Sequence, residues 1–583
     1  MYRLVTLISI MFVLTGLAPN SALAEWDVDH LEELIPHAES ALEVDRFLAM
    51  EGTFERLELM VIPPVGPIRN CAEWEPTTGV MIRYPLGLPY NLLRDMDDQV
   101  KLHVVVSSGY QSSAQSNLAA NGVDMDQVEF LVRDNDSIWT RDYGPWFIFS
   151  GDGELGIVDH TYNRPYRPND NLIPVYFGLQ QRLPVFSHSM YHTGGNYMTD
   201  GSHIGSSTML VYNEAASANG MNHAEVDALM EEYYGLENYS VLDYIESGGI
   251  HHIDTWAKFL DEETVLVKDV WPTHHTYNAL NQRATLLASL TASTGRPYQV
   301  HRVYCYNYGG GQPASYTNSL ILNNHIYVPF FGNSSYDQAA LEIYREAAPG
   351  YEVSGYYYGG FISDDALHCR AKGMMDEGML RVGHVPVRED MQGPVTIEAQ
   401  VVAHSGQDIT EAVVHYRHDD GDWVALPLEN VQTTAYQGEI PSPTQDGLCQ
   451  YYISVTDASG RTEGMPRTQP IASYEFLHAA DVSAAPGIDS PNRPHLVGNF
   501  PNPFNPSTTF RFTLAHEGEA ELSVIDARGR LVRVLVSGMY PAGEHDIQWD
   551  GRDSSGRPVP SGVYFYRLRA AGLQYTRAAT LIK

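Results

Sequence analysis

Lysine and cysteine are what this chain has least of. Only Lys101, Lys258, Lys268, Lys372 and Lys583 occur among 36 basic residues, so the other 31 are arginine, against 72 acidic residues and a formal net charge of −36. So acidic a chain excludes nucleic acid and anionic membrane as partners, because both repel it. Four cysteines in 583 residues (Cys71, Cys305, Cys369 and Cys449) show no C-x-x-C spacing and no dense disulfide framework. Packed cores must therefore hold the chain, which leaves room for a free reactive thiol; the other cysteines are expected to be core thiols or to form one disulfide. Long apolar runs are absent after the first segment. That segment, Leu4 to Leu14 followed by A-L-A, is too short to span a membrane and predicts a secretory signal over residues 1–24.

What is present is organised in blocks. Residues 25–60 carry a charged, Leu-rich helical pattern, expected as a lead-in or pro-segment. From 61 to 388 short β-type runs (79–84, 101–106, 264–270, 318–329) alternate with helical ones (224–234, 338–347), which predicts an α/β domain. No tight sequence repeat is visible, so any internal symmetry must be structural. Residues 389–478 change to short strands separated by turn signals such as D-D-G-D, an immunoglobulin-like sandwich. A linker over 479–493 leads to a second β-sandwich, 494–583.

The chemistry-bearing residues are scattered. Cys369, in D-D-A-L-H-C-R, is flanked by His368 and Arg370, both able to favour the nucleophilic thiolate. In I-H-H-I-D-T-W, read as a strand, His252 and Asp254 share one face, and a histidine there can shuttle protons. A metal site of His251, His252 and Asp254 with His274 and His275 is the rival reading, without any established ligand spacing. The stretch 133–146 offers Asp134, Asp136 and Asp142 with Trp139 and Trp146: carboxylates to accept paired N–H bonds from a guanidinium, and aromatic faces to cover that flat cation. Each element alone is equally an inert cysteine, an acidic loop or a core aromatic.

Together, W-T-R-D-Y-G-P-W (139–146), H-I-D-T-W-A-K-F (252–259), T-N-S-L-I-L-N (317–323) and D-A-L-H-C-R (365–370) resemble the guanidino-group-modifying deiminases, in the order of the Porphyromonas-type peptidylarginine deiminases. The resemblance implies a five-bladed ββαβ (pentein) propeller followed by the two all-β sandwiches, with the site on the central axis and neither cofactor nor metal. It implies that Asp142 and Asp254 grip the guanidinium, His252 is the acid/base and Cys369 the nucleophile, with Trp139 and Asn318 lining the pocket. Arg164 and Arg167, in N-R-P-Y-R-P, match arginines that hold the carboxylate of a C-terminal arginine, though Tyr166 is one residue more than the family pattern has between them. The expected substrates are arginine-containing peptides or proteins; agmatine or free arginine is the alternative, and a non-catalytic surface adhesin the alternative of another class. The final block, opening N-P-F-N-P-S-T-T, resembles the C-terminal sorting domain of type IX secretion substrates. That implies the type IX machinery as a partner and a secreted or surface location beyond a Gram-negative periplasm.

Overall fold

Between Thr77 and Met375 one unit recurs five times: a short strand, an antiparallel second strand, a helix, and a third strand parallel to the second. The computed structural model describes residues 63–583 except 152, 247–248, 481–493, 501–503, 527–529, 571–572 and 582–583. The signal segment, the 25–60 lead-in and nearly all of the 479–493 linker lie outside the described residues.

In chain order the second, third, fourth and fifth units are built on Trp146–Ser150 with Glu154–Tyr162 and Val185–His192, Met198–Thr199 with Ile204–Thr208 and Asn238–Leu242, Ala257–Phe259 with Thr264–Asp269 and Gln299–Tyr304, and Leu320–Leu322 with His325–Phe330 and Glu352–Tyr357. The first unit is completed from far along the chain: Lys372–Met375 pairs antiparallel with Thr77–Tyr84, itself parallel to Lys101–Val106. This pairing closes the ring and leaves no open seam between the first and last units. Local signals set the helices. His223–Tyr234 begins at a reciprocal capping box between Asn222 and Glu225 and stops at Gly235, whose φ of 68° suits a residue without a Cβ. The run 318–329, one strand by its composition, is a hairpin instead, because Asn323 turns the chain at φ 53°.

The apolar cores lie between units. Leu102 and Val104 of the first unit pack with Leu322 and Tyr327 of the fifth, Met81 with Phe147 of the second, Trp146 with Tyr197 of the third, Met198 with Trp256 of the fourth, and Val265 with Ile326 of the fifth. Each unit therefore packs its apolar faces against its neighbours, as a five-bladed ring requires.

Two further cores follow. The first sandwich is centred on Ile397, Val414 and Ile453; Leu380–Gly383, counted with the α/β region from sequence, pairs with Val395–Ala403 and adds Leu380 and Val382 to it. The second is centred on Phe510, Leu522 and Trp549. All four cysteines are free and buried, so the disulfide option is not used. Among the described residues no helix is long and apolar enough to cross a membrane. Leu102→Ala, at a fully buried inter-unit position, is expected to cost about 2–5 kcal/mol. The check is urea unfolding: the α/β transition should fall in midpoint while that of the terminal sandwich stays in place.

Candidate active site

The site is assembled from one structural position used five times. Just ahead of each unit's first strand the chain makes a tight turn towards the axis: Thr140–Tyr143 before Trp146, Gly194–Asn196 before Met198, Ile253–Thr255 before Ala257, Asn318 before Leu320, and His368–Arg370 before Lys372. These turns bring Asp142, Gly195, His252 with Asp254, Asn318 and Cys369 together. His252 and Asp254 are therefore not alternate residues of a strand, as their spacing suggests, but flank and occupy a single 3-10 turn.

Cys369 is 1% exposed. Its Sγ lies 3.3 Å from Asn318 Nδ2, which donates to it, and 3.8 Å from Asp254 Oδ2. Asn318 Oδ1 accepts from the amides of Ala366 and Cys369 at 3.2 and 3.3 Å, so one side chain fixes both the thiol and its loop. The flanking basic residues do not serve the thiol as expected. Arg370 is spent on Asp365, at 2.6 and 2.8 Å, and on the carbonyls of Gly87 and Gly360. His368 points away, with Nδ1 2.7 Å from Asp254 Oδ2 and Nε2 2.6 Å from Glu73 Oε2. Burial and nearby Arg141 weaken its basicity, but a ring facing carboxylate oxygens from both nitrogens has to donate from both, which makes it a cation.

On the opposite side His252 Nδ1 lies 3.5 Å from Asp142 Oδ1. Gly195 packs between them. A Cβ there would stand 2.5 Å from His252 Nδ1, 2.7 Å from Asp142 Oδ1 and 3.3 Å from Asp254 Oδ2, so only glycine leaves the three groups a common space. Asn196 braces the arrangement, its Oδ1 accepting from Thr208 N at 3.0 Å and Ile253 N at 3.3 Å. Asp142 Oδ1, Asp254 Oδ1 and both His252 nitrogens are buried without a hydrogen-bond partner among the described residues. Two neighbouring carboxyl groups, each with an unpaired oxygen, and a free imidazole can form a receptor for a polar cation.

The charges are tuned by burial. Desolvation, reinforced by Asp254, pushes the Asp142 carboxyl up to about 8. Asp254 is equally buried, yet the hydrogen bond and charge of His368 hold it below the ordinary carboxylate range. Burial drops His252 to about 4. Burial, then Asp254, Asp365 and Asp142, raises the Cys369 thiol well above its usual value. At neutral pH the free site therefore holds one ionised carboxylate, one protonated carboxyl, a neutral imidazole and a thiol. A cation placed among them reverses these biases, since it favours ionisation of both acids.

At the rim, Trp139 carries the Arg167 guanidinium 4.3 Å above its ring, and Arg167 Nη1 donates to Tyr162 at 2.9 Å. The extra Tyr166 is absorbed by a turn closed from Arg167 N to Arg164 O at 2.8 Å, its ring 69% exposed. Arg164 is 3.9 Å from Glu214, which Asn163 also binds, and its charge is felt by Asp142 and His252. Other sequence candidates lie elsewhere. Asp134 is exposed, and Asp136 holds Asn169 at 2.8 and 2.9 Å. Trp146 covers the Lys372 ammonium, 3.7 Å from its ring centre, rather than the pocket. The rival metal set is dispersed: His251 stacks on Tyr244 at 3.9 Å and His275 pairs with Glu246 at 3.0 Å.

The sequence reading missed the layer beneath. Glu73 is bound by Lys258 Nζ at 2.7 Å, His368 at 2.6 Å and the Ile321 amide at 2.8 Å, with Arg141 at 3.4 Å. Glu73, Lys258, His368 and Arg141, with Lys372 and Asp254, line a cavity of about 30 Å³, room enough for water. A usable signal existed in lysine scarcity, because Lys258, Lys268 and Lys372 of the five lysines are all buried.

Residues 69–373 match the family model of the Porphyromonas-type peptidyl-arginine deiminases, and residues 505–573 match that of the FlgD Ig-like domain. An agmatine deiminase of Medicago truncatula is 25% identical over 293 residues, covering 42% of this chain and 76% of the relative. A solved agmatine deiminase of Enterococcus faecalis is 20% identical, with a TM-score of 0.46 over 53% of this chain and 95% of that one. Because the deiminase match spans more than half of its length, this chain belongs to the Porphyromonas-type peptidyl-arginine deiminase family.

Proposed function

We propose that this protein is a hydrolase that converts the guanidinium of arginine, preferentially at a peptide C-terminus, to the ureido group of citrulline with release of ammonia. The observation that supports it is the convergence of Cys369, His252, Asp142 and Asp254 around Gly195 on the axis of the ring. Asp142 and Asp254 take the guanidinium nitrogens, and the cation's charge promotes ionisation of Asp142 and of the thiol. His252, neutral in the free site, receives the thiol proton as sulfur adds to the guanidinium carbon. It returns that proton to one amino nitrogen, which leaves as ammonia, and a covalent thiouronium remains. Water then adds, giving a proton to His252; collapse of the adduct frees the ureido product and the thiol, and the proton leaves with ammonia as ammonium. Arg164, with Arg167 held on Trp139, is the candidate fork for the substrate carboxylate. The names of the matched relatives favour agmatine as the second reading, but agmatine has no carboxylate for these arginines to meet. The signal pattern and the terminal sandwich support an exported enzyme carrying a sorting module.

Citrulline formation from a peptide ending in arginine should vanish in Cys369→Ala. Arg164→Ala should raise KM for that peptide roughly 10- to 100-fold, the loss of one charge-assisted bond, and alter agmatine turnover far less, only through its lost charge on Asp142 and His252; preferred turnover of agmatine by the parent enzyme would overturn the peptide assignment. Gly195→Ala should lower kcat/KM about a hundredfold through displaced site groups, with an unaltered circular dichroism spectrum. The pH profile follows from Asp142. A carboxyl raised to about 8 is protonated below that pH and cannot pair with the guanidinium, so kcat/KM should climb as pH rises through a limb near 8. Asp142→Asn should remove both that limb and most of the activity.

A further inference from the structure

A second convergence of chemistry-bearing side chains lies outside the propeller, in the first sandwich. Three adjacent strands supply it: Ile409–His418, Gly447–Asp457 and Tyr474–Ala479. His418 and Cys449 are direct antiparallel partners, and His478 stands opposite Gly447, two residues from Cys449. Strand alternation therefore puts all three side chains on one face of the sheet. Cys449 and His478 are buried and His418 half-buried.

Their donor atoms all lie within 4.8 Å of one another, the only such set of three found among the described residues. The geometry is more specific than packing needs. His478 Nε2 lies 2.6 Å from the carbonyl oxygen of Gly393, to which it can only donate, so Nδ1 of the neutral ring is left as a lone pair. That lone pair faces His418 Nε2 at 3.0 Å. The Cys449 sulfur makes only a long hydrogen bond, to the Gln450 carbonyl at 4.0 Å. A metal-bound histidine characteristically donates its other N–H to a backbone carbonyl, which sets the tautomer and aims the ring. His478 already has that arrangement.

We propose that His418, Cys449 and His478 form a binding site for a zinc-class divalent ion, with two imidazole nitrogens and one thiolate as ligands and solvent as the fourth. Such an ion wants nitrogens at about 2.0–2.1 Å and sulfur at about 2.3 Å, so its donors stand roughly 3.3–3.7 Å apart. The two imidazoles are already near that spacing, and side-chain rotation closes the rest. Binding breaks the S–H bond of Cys449 and sends its proton to solvent. The proton that His418 shares from Nε2 moves to Nδ1, so one proton is released per ion. The ion would tie three neighbouring strands of the sandwich together, chemically independent of Cys369.

The test uses full-length Cys369→Ala protein, which removes the competing active-site thiol, stripped with chelator and titrated with Co²⁺ and then Zn²⁺. One Co²⁺ per chain should bind with a near-ultraviolet thiolate-to-cobalt charge-transfer band, Zn²⁺ should displace it, and the unfolding temperature should rise. Cys449→Ser should abolish the band and, like His478→Gln, weaken binding at least about tenfold. Absence of the band in the parent, or its persistence in Cys449→Ser, overturns the site. Should Cys449→Ser not fold, the half-buried His418→Gln decides: tenfold weaker Co²⁺ binding with native circular dichroism supports the site, and unchanged binding refutes it.

Discussion

The half-buried carboxylate of Glu73 is the constraint on which the rest of the catalytic region depends. It reaches Lys258 of the fourth unit, the Ile321 amide of the fifth and His368 beside Cys369, with Arg141 of the second-unit turn close by. A carboxylate largely withdrawn from water is tolerable only when so paired, and the same holds for the cations around it. Burial alone would raise Glu73, yet His368, Lys258 and Arg141 hold it well below the ordinary range. Lys258 continues to the Ser319 carbonyl at 2.7 Å, beside Asn318. The ring is thus pinned at its axis by charge as well as at its flanks by apolar packing, and the turns that carry the site are pinned with it.

That cluster also divides the labour between the two carboxylates. Asp254 receives His368 from below and stays ionised; Asp142 has no comparable partner and is driven up by burial and by Asp254 itself. Identical side chains facing one space thereby acquire opposite resting states. The free site carries too little charge to trap cations indiscriminately from solvent. In the proposed reaction a guanidinium would meet acids ready to ionise, so its binding and activation of the thiol would be coupled through the same electrostatics.

Much of the fold was legible locally. Alternation of strand and helix signals, the capping box at Asn222 and the change to short strands after the α/β region are properties of neighbouring residues. The five-fold recurrence was not, because the units share a turn position rather than a residue identity: Asp142, Gly195, Asp254, Asn318 and Cys369 occupy equivalent turns, and only the two aspartates match. The hairpin at Asn323 and the early start of the sandwich at Leu380 likewise depend on which strand each segment meets.

By itself the sequence determined the cast of the candidate site, since a thiol, a histidine, two carboxylates and a pair of arginines in family order are visible without coordinates. Only the tertiary structure decided how they act together. It turned His368 and Arg370 away from the thiol, gave Trp146 to Lys372, seated Arg167 on Trp139 despite the extra Tyr166, and placed Gly195 at the centre. It also grouped His418, Cys449 and His478, whose separation along the chain gives no ligand spacing to read. The reason is physical. Residue type is a local property, whereas burial, orientation and ionisation state depend on partners that the chain brings in from hundreds of residues away.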